Sequence, residues 1–182
     1  MKIDHSGFLK SVHFIPSPNV DERPPETPIR LLVIHSISLP PQQFGGDGII
    51  QFFTNRLDPA IDPYYAVIQD LRVSTHFLIR RDGEVIQFAS CNLRAWHAGQ
   101  SKWKGRVRCN DFAIGVELEG SDYVAFEDAQ YDALTELTQA IQEAYPIQDI
   151  VGHADIAPGR KTDPGPFFDW ARYRGAVAAA GG

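Results

Sequence analysis

Two histidines stand where an apolar run of the sequence gives way to a loop. His35 follows the run 31–34, and His153 follows the run 149–152. Beyond His153, a stretch rich in proline and glycine is stiff enough to return Asp163 to the neighbourhood of that histidine. Two neutral imidazoles and one carboxylate form a three-ligand set for Zn²⁺ that leaves the fourth position for water. The pattern indicates a catalytic zinc site. An aspartate before proline is also typical of a simple turn, so this alternative for Asp163 stays open. The sequence contains no short zinc-binding signature such as HExxH.

These residues need a sheet to position them, and the sequence contains runs typical of strands and helices. The runs with strand character are 31–34, 73–80, 85–88, 112–119 and 149–153, and those with helical spacing are 49–53, 64–71 and 127–145. Asp82 and Gly83 lie between two of the strands and favour a hairpin turn, which supplies an antiparallel pair. The sequence therefore predicts an α/β fold of mixed α+β type, a single domain with a central mixed sheet flanked by helices.

Glu117 lies in the strand-like run 112–119, where alternation separates two kinds of side chain. One face carries Ile114, Val116 and Leu118, and the other carries Gly115, Glu117 and Glu119. A carboxylate on the second face can point toward a site at the strand ends, where loops converge, or can simply be solvated. The residues alone leave both interpretations of Glu117 open.

Length and charge narrow the classes of protein further. The chain has 182 residues, which fits one domain, and 17 basic against 23 acidic residues give a net charge of −6. This charge argues against nucleic acid and anionic membranes as partners. The sequence has no apolar run of membrane-spanning length and no secretory signal pattern, so we expect a cytoplasmic protein. We expect an extended proline-rich arm (1–28), a main domain (29–175) and a flexible tail (176–182).

Several ordered blocks of the sequence together resemble the zinc-dependent type-2 N-acetylmuramoyl-L-alanine amidases. The blocks are His35 after its apolar run, VSTHFLI at 73–79, RAWHAG at 94–99, IGVELEG at 114–120, and the segment 152–166 that contains KTDPGP. The likeness extends from about residue 14 to residue 174. Within the family, the chain resembles the cytoplasmic branch that acts on 1,6-anhydro-N-acetylmuramyl peptides during cell-wall recycling.

The resemblance implies a fold like that of the type-2 amidases and the peptidoglycan-recognition proteins, with residues 29–175 as the zinc amidase domain. It implies that His35, His153 and Asp163 bind one Zn²⁺ per chain. Glu117 is then the general base, and Lys161 stabilises the transition state. The implied reaction is hydrolysis of the amide between the lactyl group of (1,6-anhydro)-N-acetylmuramic acid and the L-alanine of the stem peptide. The expected partner is a small soluble muropeptide, and the expected state is a monomer.

Five further residues are candidates for contact with the substrate: Arg72, His76, Trp96, His97 and Arg108. His76 can either contact the substrate or hold another residue in place, and Trp96 can stack on a sugar or pack in the core. The stretch 94–110 has five basic residues and no acidic one. It can form a solvated face or a clamp for stem-peptide carboxylates, with Arg108 the best candidate because arginine binds carboxylates bidentately.

One position departs from the branch that the chain resembles, and two other functions need to be considered. Ser36 stands where that branch usually has asparagine, so a polar contact near the metal is expected to be altered or water-mediated. A non-catalytic peptidoglycan-binding module of the same fold would not need the ligands, Glu117 and Lys161 together. A zinc nuclease would be expected to carry a wider basic surface than this chain does.

Overall fold

The computed structural model describes residues 1–181, and its fold is built around a six-stranded sheet. The strands are β1 (His13–Phe14), β2 (Val20–Asp21), β3 (Leu31–Ile37), β4 (Phe77–Ile79), β5 (Val85–Gln87), β6 (Arg94–Ala95), β7 (Lys102–Trp103), β8 (Arg106–Val107), β9 (Ala113–Glu119) and β10 (Asp149–Gly152). The sheet order is β1-β5-β4-β9-β3-β10, with β2–β6 and β7–β8 as two small separate ladders. Only β4 and β5 pair antiparallel within the six-stranded sheet, so the predicted hairpin and the predicted mixed sheet are both confirmed.

Helices cover both faces of this sheet. They are α1 (Gly48–Phe53), α2 (Pro63–Ile68), α3 (Asp128–Ala144), α4 (His153–Ile156) and α5 (Trp170–Ala180), with a 3₁₀ turn at Cys109–Asp111. On one face, Val116 and its neighbours on β9 pack in a cluster with Leu134 and Leu137 of α3 and Tyr173 of α5. On the other, strands β4 and β5 pack against α1 and α2. Coverage on both sides explains why the central strands are almost continuously apolar.

Three boundaries differ from the expectations. Strand β3 continues past His35 to Ile37, because β9 pairs with it along its whole length. The segment after His153 opens with one helical turn, α4, since its first proline, Pro158, comes only after that turn. The tail expected at 176–182 is helical as far as Ala180, as the end of α5, and Gly182 lies outside the described residues.

The N-terminal segment 1–28 lies against the rest of the chain. Strand β1 adds a parallel edge strand beside β5, and β2 pairs with β6. The side chain of Arg23 reaches inward and donates hydrogen bonds to the backbone oxygens of Cys91, Asn110, Asp111 and Ala113, at 2.9–3.1 Å. The segment is therefore fastened to the sheet and to the 3₁₀ turn.

Candidate metal centre

Three adjacent parallel strands bring the predicted site residues to one edge of the sheet. Strand β3 lies between β9 and β10, and the register places His35 directly beside Glu117. Gly152 pairs with Ile34, so His153 begins α4 next to His35. The loop after α4 folds back, and the backbone N–H of Ala154 donates to the backbone oxygen of Asp163 at 2.9 Å. Parallel strands end at a common edge, which is why residues more than a hundred positions apart meet here.

The side chains of His35, His153 and Asp163 converge on one point. Nδ1 of His35 lies 3.0 Å from Nδ1 of His153 and 3.1 Å from Oδ2 of Asp163. The third separation, between Nδ1 of His153 and Oδ2 of Asp163, is 3.0 Å. These three residues form a group that could hold a metal ion. The return of Asp163 to this point favours the ligand interpretation over the simple turn.

Each imidazole also has a hydrogen-bond contact on the side away from this group. Nε2 of His153 lies 3.1 Å from the backbone oxygen of Ala98, which can only accept, so Nε2 must donate. Nε2 of His35 lies 2.9 Å from Nδ1 of His97, and donation in that direction leaves Nδ1 of His35 without a hydrogen. Burial lowers the pKa of His35 to about 4, so its ring is neutral near pH 7. With Nε2 as the donor in each ring, both Nδ1 atoms offer lone pairs to the same point.

Asp163 supplies the negative charge of the group. Burial alone would raise the pKa of Asp163, but the adjacent His153 and His35 rings outweigh burial and hold that pKa well below its usual range. The carboxylate is therefore ionised at neutral pH. An ionised carboxylate oxygen and two imidazole nitrogens that lie 3.0–3.1 Å from one another form a donor set that a cation can satisfy.

Glu117 lies beside this group in an unusual environment for a carboxylate. It is 8% exposed, and one of its oxygens lies 3.9 Å from Nδ1 of His35. Within residues 1–181, its Oε2 atom has no hydrogen-bond partner. Burial raises the pKa of Glu117 well above its usual range, the charge of Asp163 raises it further, and the charge of Lys161 opposes both. Such a carboxylate is ready to accept a proton.

A cleft of about 340 Å³, which we call the site cleft, opens over these groups. Glu117, His153, Lys161 and Asp163 line it together with His97. The cleft also has a largely apolar wall, which the sequence analysis did not assign to the site. The residues of this wall are Leu39, Phe52, Phe53, Tyr64, Ile68 and Leu71. Helical spacing in 49–53 and 64–71 was the only signal for these residues other than Leu39, which lies in the loop between β3 and α1. Such spacing does not distinguish a core face from a cleft wall.

The two histidines predicted to contact the substrate lie at different depths. His97 lines the site cleft and packs edge-on against His35, with ring centroids 5.0 Å apart. His76 is fully buried behind it, and its Nδ1 accepts a hydrogen bond from the backbone N–H of Gly115 at 3.0 Å. Burial places His76 out of reach of a substrate, which corrects the expectation of direct contact and leaves the role of holding its neighbours.

The other three predicted substrate residues lie outside the lining of the site cleft. The indole nitrogen of Trp96 donates to Asp21 at 3.1 Å. Arg72 donates to the backbone oxygens at the end of α2 and just beyond it, and exposed Arg108 pairs with Asp111 at 3.4 Å. Their contact with a substrate stays a prediction. The expected basic clamp is partly neutralised, because other residues of the stretch are already paired with carboxylates, namely Arg94 and Lys104.

Comparison with known proteins identifies the family. A profile described as N-acetylmuramoyl-L-alanine amidase matches residues 25–166, which is most of the chain. The chain belongs to the N-acetylmuramoyl-L-alanine amidase family. This confirms the resemblance found in the sequence and the class of enzyme, an amidase. The chain is 53% identical over 174 residues to the 1,6-anhydro-N-acetylmuramyl-L-alanine amidase AmpD of Escherichia coli strain K12, covering 94% of this chain and 95% of that one.

Solved amidase structures share the fold. A crystal structure of a selenomethionine AmpD derivative superimposes with a TM-score of 0.93 at 54% identity, covering 97% of this chain and 99% of that chain. A complex of the Escherichia coli amidase AmiD with the substrate anhydro-N-acetylmuramic acid-L-Ala-D-gamma-Glu-L-Lys superimposes with a TM-score of 0.60 at 33% identity. That match covers 86% of this chain and 60% of the AmiD chain. The predicted type-2 amidase fold is therefore confirmed.

Proposed function

We propose that this amidase is a zinc enzyme that cleaves the bond between the lactyl group of 1,6-anhydro-N-acetylmuramic acid and the L-alanine of a stem peptide. One observation carries the proposal: three lone-pair donors converge beside a buried carboxylate without a partner among the described residues, and all of them line or adjoin one cleft. The AmpD relatives, which are 1,6-anhydro-N-acetylmuramyl-L-alanine amidases, support the choice of substrate.

The proposed ligands His35, His153 and Asp163 fit zinc. Imidazole nitrogen and carboxylate oxygen bind zinc at about 2.0–2.2 Å, which separates tetrahedral donors by roughly 3.3 Å. The three donor atoms lie 3.0–3.1 Å apart, close to that value. Each histidine also has a hydrogen-bond partner on its other ring nitrogen, as zinc-binding histidines usually do. Three protein ligands leave a fourth position for water or substrate.

Glu117 and Lys161 have separate roles in the proposed reaction. A zinc ion held by the three ligands would supply Lewis acidity toward the scissile carbonyl and toward water. Glu117 takes a proton from the attacking water and later passes it to the nitrogen of the leaving amine. Lys161 lines the same cleft and stabilises the negative charge that develops on the carbonyl oxygen.

The environment of Glu117 favours an enzyme over a binding module of the same fold. An unpaired buried carboxylate destabilises a folded protein, so a module that only binds would gain nothing from keeping it. Catalysis accounts for that cost, because a raised pKa makes Glu117 a stronger base toward water and a better acid toward the leaving amine.

We also propose that the protein acts as a monomer in the cytoplasm, on small muropeptides that arise in cell-wall recycling. None of the helices within residues 1–181 has the length and apolar character that crossing a bilayer requires. We propose residues 29–175 as the zinc amidase domain, with 1–28 as its arm.

Incubation with two substrates tests the proposed reaction. The purified protein is mixed with an anhydromuropeptide or with intact peptidoglycan, and released peptide is measured by mass spectrometry. We expect one zinc per chain, rapid release from the small substrate, and loss of turnover after chelation that added zinc restores. Full activity in a verified zinc-free sample would contradict the proposed mechanism.

Two substitutions separate the base from the ligands. Glu117→Ala is expected to keep zinc and to lower kcat by roughly 10²- to 10⁴-fold, as loss of a general acid–base does. His35→Ala is expected to lose zinc itself, because it removes a donor. Zinc content and kcat are measured on both variants. A Glu117→Ala protein that lost its metal but kept its rate per bound zinc would reverse the two roles.

A further inference from the structure

The adjacent residues His97 and Ala98 contact both histidines of the proposed zinc site. His97 contributes its side chain, whose Nδ1 faces Nε2 of His35 at 2.9 Å. Ala98 contributes its backbone oxygen, which accepts from Nε2 of His153 at 3.1 Å. One dipeptide therefore contacts the ring nitrogen opposite Nδ1 in both histidines, and a hydrogen on that nitrogen leaves both Nδ1 lone pairs free.

Asn110 holds the N–H groups of this dipeptide, and Arg160 donates to the backbone oxygen of Ala98 at 2.7 Å. Oδ1 of Asn110 accepts hydrogen bonds from the backbone N–H of His97 at 3.1 Å and of Ala98 at 2.8 Å. An amide oxygen has two lone pairs, so these two donors use its full capacity. Asn110 is itself fixed in the 3₁₀ turn, where Arg23 donates to the backbone oxygen of Asn110 at 3.0 Å.

Gly115 limits the space on one side of the His97 ring. A Cβ atom at Gly115 would come within 2.5 Å of Cγ of His97, so the ring packs directly on that glycine. Loss of the two hydrogen bonds to Asn110 would free the backbone of His97 and Ala98 to shift. A shift of that backbone would lengthen the contact from Ala98 to His153 and the contact from His97 to His35 at the same time.

We propose that Asn110 is a positioning residue for the metal centre: by holding the backbone of His97 and Ala98, it keeps both proposed zinc histidines in the form that leaves Nδ1 free. This rests on the zinc site proposed above. Asn110 touches neither the ligands nor the site cleft, and it acts through the dipeptide alone. Its removal should therefore weaken zinc binding without removing any ligand.

Zinc affinity is the decisive measurement, taken by competition with a chromophoric chelator. Asn110→Ala is expected to raise the zinc Kd by roughly 10- to 100-fold, the usual cost of losing a partner behind a metal ligand. Asn110→Asp keeps an oxygen at the same reach, so its Kd should stay within about threefold of the parent value. Asn92→Ala is the matched control: this asparagine hydrogen-bonds to His5 and Tyr145, and its loss should leave the Kd unchanged.

The position of the ring hydrogens gives a second readout. Long-range ¹H–¹⁵N spectra of the zinc-free parent protein at mildly alkaline pH should show His35 and His153 with the hydrogen on Nε2. Asn110→Ala should shift both toward a mixture. For Asn110→Ala, an unchanged Kd together with unchanged positions of the ring hydrogens would overturn the proposal. A tenfold weaker zinc affinity in Asn110→Asp would also overturn it. The Asn110→Asp measurement decides the question if Asn110→Ala does not fold. A parent protein that binds no zinc would refute the proposed function instead, and the spectra would still test Asn110.

Discussion

Glu117 and Lys161 form an opposed pair at the scale of single residues. Burial and the charge of Asp163 raise the pKa of Glu117, whereas the charge of Lys161 lowers it. Lys161 therefore has two effects in the proposed reaction. It stabilises negative charge on the substrate, and it keeps the base ionised to lower pH than burial alone would allow.

The first prediction separates these two effects with Lys161→Met. Loss of the oxyanion stabiliser is expected to lower kcat by about 10²- to 10³-fold. Without the ammonium charge of Lys161, the pKa of Glu117 rises, so Glu117 stays protonated and inactive up to a higher pH. The acidic limb of the kcat/KM profile therefore moves to higher pH. Profiles of the parent and of the exposed-lysine control Lys102→Met should coincide. An acidic limb that moved to lower pH in Lys161→Met would contradict the assignment.

The sequence gives clearer signals for the proposed ligands and base than for the residues that hold them in place. His35, His153 and Glu117 have local signals, since each lies in or beside an apolar strand. Asn110 has none, because its role depends on a loop that meets the backbone of residues twelve and thirteen positions earlier. His76 was ambiguous for a related reason: alternation cannot show which side of a strand faces a cleft.

A buried carboxylate anchors the loop between β3 and α1 at the scale of elements. Glu119 is 2% exposed and accepts from the backbone N–H of Gly45 at 2.6 Å, while it pairs with Arg80 at 3.4 Å. Arg80 also donates to the backbone oxygen of Gly46 at 2.8 Å. The same loop carries Leu39 into the lining of the site cleft. Glu119 therefore fixes one wall of the cleft from behind.

The second prediction follows from this anchor. Glu119→Ala removes a charge-assisted hydrogen bond worth about 1.5–3 kcal/mol, so amide exchange in residues 42–47 should accelerate by roughly 10- to 150-fold. Because a mobile wall binds substrate less well, KM should rise more than kcat falls. Hydrogen exchange and steady-state kinetics provide the measurements. Glu84→Ala, which removes an exposed acid from the neighbouring hairpin, is the control, and equal exchange in both variants would count against the anchor.

The five longer strands and helix α3 were predictable as elements, whereas the two-residue strands and helix α5 were not. Helix α3 presents Tyr131, Leu134, Leu137 and Ile141 at helical spacing and lies within one residue of its predicted limits. Helix α5 is rich in alanine, contains Gly175 and buries only Tyr173, so it has no strong apolar stripe to detect. Its stability comes from packing against α3, which sequence periodicity does not report.

At the scale of the whole molecule, Arg23 joins the N-terminal segment to the domain. Its guanidinium lies among the four backbone oxygens described above, and burial lowers its pKa to about 10, so it stays charged at neutral pH. Our third prediction is that Arg23→Ala lowers the free energy of unfolding by about 1.5–3 kcal/mol, the cost of losing hydrogen bonds from a charged group. Urea unfolding measures it. Arg56→Ala, which removes an exposed arginine, should change that free energy by less than about 0.5 kcal/mol.

Buried neutral histidines make the fold sensitive to acid. Burial and the nearby charge of Arg23 lower the pKa of His76 to about 3, and burial holds the pKa of His97 well below its usual range. An unfolded histidine binds a proton below about pH 6.5, whereas folded His76 does not until near pH 3. The unfolded state therefore gains protons as pH falls, and the free energy of unfolding decreases.

The fourth prediction isolates the contribution of His76. Between pH 6 and pH 4, the free energy of unfolding of the zinc-free parent should fall more steeply than that of His76→Gln, by about 1.4 kcal/mol for each pH unit. Without the His76 imidazole, the protein takes up one proton fewer when it unfolds in this pH range. Urea denaturation at several pH values gives both slopes. Identical slopes would show that His76 is protonated in the folded state.

The parallel pairing of β3 with β9 and β10 also dictates when, during synthesis, the metal centre can exist. Until residue 153 has been added, a growing chain contains only His35 of the three proposed ligands, and Asp163 follows ten residues later. Strand β3 must likewise wait for β9 and β10, which are synthesised long after it. The proposed three-ligand site is therefore incomplete on every unfinished chain until translation has passed Asp163.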